Sequence, residues 1–129
     1  MVLVVFAVLD LALAYRLQIR LENAAREGAS YAQLHPDQVR DCGDGSIWDR
    51  VVAEDDGVED LHGFEVVVLR EGLGGTNVPV SGCSTTIPRG TRVTVEARAE
   101  HRLLTPLVSK ALGSTVVRVA GTAEVEVQA

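Results

Sequence analysis

The side chains able to do covalent or metal chemistry are few and scattered. Cys42 and Cys83 are the only cysteines in 129 residues. They admit three readings: one disulfide, two structural thiols, or part of a zinc site. His35, His62 and His101 could add nitrogen ligands. However, no C-x-x-C or H-x-x-x-H spacing is present, and lone histidines are expected at the surface. The carboxylates from Glu54 to Asp60 could attract calcium but lack the EF-hand spacing, so a solvated acidic loop is expected. Glu71-Gly72-Leu73-Gly74-Gly75-Thr76 has no phosphate-loop lysine and precedes no helix, and so reads as a hairpin loop. Ser81-Gly82-Cys83-Ser84 is not a nucleophile elbow, and no histidine–acid pair is identifiable. These residues predict no catalytic group, no metal, no cofactor and no enzyme activity.

Asp10 stands apart from them. It is the one charge in residues 1–14, and an acid inside an apolar helix is costly unless paired. A capped or partner-facing acid is one reading, and a residue at the membrane edge is the other. Formal net charge is −6, and nine of the 18 acids fall in residues 35–63. With aromatics at only 4%, this excludes a nucleic-acid partner.

Three kinds of element must position these groups. Residues 1–14 are apolar and span about 21 Å as a helix, short of the ~30 Å hydrocarbon core. They read as part of a membrane anchor, as a signal peptide ending at Ala12-Leu13-Ala14, or as a buried core helix. Leu17, Leu21, Ala24, Gly28 and Tyr31 then recur at three- and four-residue spacing. The helix is therefore predicted to run to Leu34, before Pro36, with 1–15 as anchor and 16–34 amphipathic. Its small residues permit close approach of another backbone, either a partner helix or the chain's own sheet.

Residues 35–129 form the predicted α+β domain. Ser46 can cap a short helix to about Glu54, with Ile47, Val51 and Val52 on its apolar face. Period-two alternation predicts three half-buried antiparallel strands, around 64–69, 92–100 and 117–127. A short helix or turn follows Pro106. The fold class is α+β: a long N-terminal helix packed on a three-stranded antiparallel sheet.

The block Leu21-Glu22-Asn23-Ala24-Ala25-Arg26-Glu27-Gly28-Ala29-Ser30-Tyr31-Ala32 resembles the TadE-like pseudopilins of tight-adherence pilus systems. Val8-Leu9-Asp10-Leu11 and Ala14-Tyr15 are similar to the acidic-then-aliphatic junction and the aromatic that precede that block. Leu104-Thr105-Pro106-Leu107 is similar, less specifically, to the extracytoplasmic part. The resemblance implies a pilin-like fold and a leader with a cleaved glycine and a glutamate ahead of Met1. It implies a structural subunit or pilus-assembly component, anchored in the bacterial cytoplasmic membrane by a single pass. The expected partners are other pilin-like subunits and the membrane assembly machinery, met through Leu17, Leu21, Ala24, Gly28 and Tyr31. Replacing Gly28 by Leu is then expected to block association and leave the domain folded.

Arg16 and Arg20 follow the apolar run and by the positive-inside rule would hold the domain in the cytoplasm. The resemblance puts it outside, and an even pair of cysteines in an exported domain favours a Cys42–Cys83 disulfide. Closing about forty residues would contribute roughly 4 kcal/mol on the chain-entropy account. The alternative function is a small secreted enzyme or ligand-binding domain behind a cleaved signal peptide.

Overall fold

A computed structural model describes residues 1–35, 47–54, 57, 61–80 and 87–128. The chain opens with α1, Val2–Leu34, a single uninterrupted helix of 33 residues. At 1.5 Å per residue it is about 50 Å long. No proline interrupts it, Gly28 is accommodated in its interior, and the His35 amide bonds to the Tyr31 carbonyl at its end. Helix α2, Ile47–Glu54, follows, and buries Ile47 and Val51 while Trp48 and Val52 pack at the margin. This is the apolar face expected from sequence. Its expected cap, Ser46, lies outside the described residues.

The sheet has four strands, β1 Glu65–Glu71, β2 Asn77–Pro79, β3 Arg92–Arg102 and β4 Val116–Glu126, all antiparallel in the order β2-β1-β3-β4. The expectation of three strands is corrected by β2. Three exposed residues ending in proline carry no alternation signal, and a proline is tolerated because β2 lies at the edge. The glycine-rich stretch between β1 and β2 is the expected hairpin loop, with the Gly72 amide bonded to the Thr76 carbonyl.

Strand β3 is the hub. Val93, Val95, Ala97 and Ala99 point inward and are essentially sealed from solvent. They sit opposite Val125, Ala123, Gly121 and Val119 of β4. Val66 and Val68 of β1 continue the apolar face. Helix α1 covers that face, and the other face is solvated, which is why the strands alternate so regularly. On the solvated side Arg92 pairs with Glu124 at 3.0 Å, and Arg118 lies 3.7 Å from Glu100. Such exposed pairs contribute about 0–1 kcal/mol each. A third pair, Arg98–Glu96, raises the Arg98 pKa further above its ordinary value through their hydrogen bond.

The β3–β4 connection contains α3, Pro106–Leu112, with Pro106 in its first turn and left-handed Gly113 closing it. The C-terminal end is tied back to the helix, because the Gln128 amide donates to the Gln33 carbonyl.

Candidate functional site

The most informative arrangement lies on α1. Leu17, Leu21, Ala24 and Gly28 are buried, and Tyr31 is half-buried. The same three–four spacing extends backward through Ala14, Asp10 and Ala7, and Asp10 is only 2% exposed. One continuous stripe therefore faces the chain's own domain from residue 7 to residue 32.

Small residues on this stripe serve contact within the chain. A side chain at Gly28 would run into Val51 of α2 and come within 3.2 Å of Val95. A side chain at Gly121 of β4 would run into the α1 backbone at Leu21 and Glu22. Glycine at both positions lets helix and sheet approach closely. The expected partner face is corrected accordingly: Leu17, Leu21, Ala24 and Gly28 are occupied by the sheet and α2. Tyr31 is taken up locally, stacked on His35 at 4.2 Å with Arg50 5.0 Å from its ring centre.

Asp10 holds the other end. Its carboxylate accepts the Leu104 amide at 2.8 Å and the Thr105 amide at 3.0 Å. Charged acceptors make the stronger class of hydrogen bond, so α1 is pinned to the start of α3 across more than ninety residues of sequence. His101 Nε2 lies 3.7 Å from Asp10 Oδ1, beyond direct hydrogen-bonding distance, and its side chain is 13% exposed. The surface expectation for histidines fails here, because position 101 sits where β3 meets α1. It holds for His62, which is exposed and 3.2 Å from Glu100.

The three histidines occupy separate places: the end of α1, the turn before β1, and the α1–β3 junction. Among the described residues no three histidine, cysteine, aspartate or glutamate side chains gather to hold a metal. Cys42 and Cys83, and with them the expected disulfide, lie outside the described residues, as do most of the acidic residues from 55 to 60.

The other side of α1 is bare. Val2–Phe6, Val8, Leu9, Leu11, Leu13, Tyr15 and Ile19 are all exposed. The helix is long and apolar enough to cross a membrane. One helix thus bares an apolar side along its first nineteen residues and packs its other side on the chain's own domain, an arrangement compatible with a single-pass membrane anchor.

Residues 1–30 match the TadE-like protein family. No curated protein and no solved structure matches the chain significantly. The TadE-like segment thus covers the bare apolar half of α1 and most of the stripe that packs on the domain. Sequence reasoning missed that Asp10 belongs to this stripe, although the spacing 10, 14, 17, 21, 24, 28 already put it there.

Proposed function

We propose that the protein is a structural pseudopilin or pilus-assembly component of a tight-adherence system, working by assembly rather than by turnover. Its domain stands outside the cytoplasmic membrane, and other pilin-like subunits are its partners. The observation that carries this reading is the coincidence of the TadE-like match with an apolar helix whose outer side is bare. Helices associate in a membrane by packing and by exclusion of lipid, so a bare helix side is the natural subunit contact. On the side turned away from the domain-facing stripe lie Val5, Val8, Tyr15 and Ile19, by the 3.6-residue repeat. That side replaces the 17–31 stripe as the assembly face.

The test is site-directed crosslinking in cells carrying the whole assembly system. Cysteine introduced by Tyr15→Cys or Ile19→Cys should crosslink to sister subunits. Cysteine at Leu21, which is sealed inside the domain, should not. Crosslinking from neither exposed position, with the protein present at normal level in the membrane, would sink the assembly reading.

A further inference from the structure

The α3 end of the domain has the chemistry of a membrane surface. Residues 103–117 carry a single charge, Lys110, the only lysine in the chain, and are flanked by Arg102 and Arg118. A protein of net charge −6 thus presents three bases and no acid across sixteen consecutive steps of chain. Leu104 and Leu112 are 59% and 62% exposed. Between α1 and α3 runs an open groove of about 330 Å³, lined by Ala7, Leu11, Leu103, Val108, Leu112 and Val117 around Asp10.

These features are continuous with the bare apolar part of α1, and the Asp10 clamp is what makes them so. Leu104 and Thr105 are held at the level of residue 10. Arg16, the first base after the apolar run, is six residues further along α1. Six residues are about 9 Å of helix, so the start of α3 sits roughly that far on the apolar side of Arg16. Segments that lie in a bilayer interface reach about 5–10 Å below the headgroups. Asp10 can reside at that depth because two backbone amides satisfy its carboxylate. Lys110 can extend its ammonium outward along its own methylene stem while Leu112 stays down.

We infer that the α3 end is a lipid-seated foot: residues 103–117 rest in the interface of an anionic bilayer, and acyl chains fill the groove against α1. Arg102 and Lys110 face the lipid phosphates, and Arg118, 3.7 Å from Glu100, stands beside them as the third base at this end of the domain. The foot fixes how far the domain stands from the membrane, and sets its rotation about α1. This inference rests on the membrane-anchoring part of the proposed function.

The test uses the full chain in vesicles of phosphatidylethanolamine and phosphatidylglycerol. Single tryptophans are introduced as Leu104→Trp, Leu112→Trp and, as the anchor control, Phe6→Trp. All three native side chains are exposed, so the fold tolerates the change. Trp48, half-buried in the domain, supplies the wild-type background. Tryptophan at 104 and 112 should lose emission to lipids brominated near the top of the acyl chain, and less to lipids brominated near its end. Loss at Phe6→Trp without loss at either foot position would overturn the foot and leave the anchor standing. No loss at any of the three would overturn both. A blue shift at 112 that grows with protein-to-lipid ratio, without bromine quenching, would put a second copy in the groove and overturn the lipid assignment.

Discussion

Single atoms decide how closely α1 lies on the sheet. At Gly121 an added methyl meets helix backbone, which cannot rotate away. Gly121→Ala is therefore expected to cost about 2–3 kcal/mol, at the upper end of ordinary overpacking, read as a lowered denaturation midpoint in detergent. At Gly28 the added methyl meets the Val51 side chain, and a mid-helix glycine relieved to alanine returns roughly 0.5–1 kcal/mol. Gly28→Ala should then be the milder of the two changes. Gly28→Leu should unfold the domain itself, where the sequence alone predicted a folded domain that fails to associate. Equal midpoints for Gly121→Ala and the parent would mean that helix and sheet do not touch there. Asp10 is the other decisive atom group. Asp10→Ala should speed amide exchange at Leu104 and Thr105, and Asp10→Asn, which keeps one acceptor, should speed it less. Unaltered exchange in both variants would dispose of the clamp.

The elements divide α1 by side rather than by length. The sequence division into an anchor, 1–15, and an amphipathic part, 16–34, follows composition. In the fold the domain-facing stripe begins at Ala7, and the bare side runs on to Ile19. The two roles overlap for about thirteen residues, which lets one helix pack on its domain and offer lipid or partners an apolar side. A consequence concerns processing. A chain starting at Tyr15 lacks the Asp10 carboxylate and one wall of the groove. It should keep the β1–β3–β4 sheet signature in infrared or far-ultraviolet spectra but lose amide protection across 103–117. Full protection in the shortened chain would instead favour a signal peptide cleaved at Ala14.

For the whole molecule, function should track the helix and not the histidines. Simultaneous His35→Gln, His62→Gln and His101→Gln replacement is expected to leave pilus assembly intact. His101, whose side chain is 13% exposed, accounts for any modest loss of stability. Substitution of Val8, Tyr15 and Ile19 by alanine should reduce assembly with the domain still folded. The opposite pattern, with assembly lost in the histidine variant and kept in the helix variant, would call for a catalytic or metal role. In protein taken from outside the cytoplasmic membrane, Cys42 and Cys83 should resist alkylation until reduced. Ready labelling without reductant would remove the disulfide and weaken the extracytoplasmic assignment.

Periodicity and composition by themselves determined the long helix, the apolar face of α2, three of the four strands with their inward and outward sides, and the hairpin loop. These are local signals: each depends on side chains a few residues apart, repeating at 3.6 or at two. The same local logic reached the small-residue stripe but not its occupant, because a helix face looks alike whether a partner or the chain's own sheet lies against it. Tertiary structure decided that. Gly121 meets Leu21 and Glu22, and Asp10 meets Leu104 and Thr105, across about a hundred residues in each case. Contacts of that kind depend on the register of β3 with β4 and on how closely α1 settles on them. No spacing along the chain encodes either.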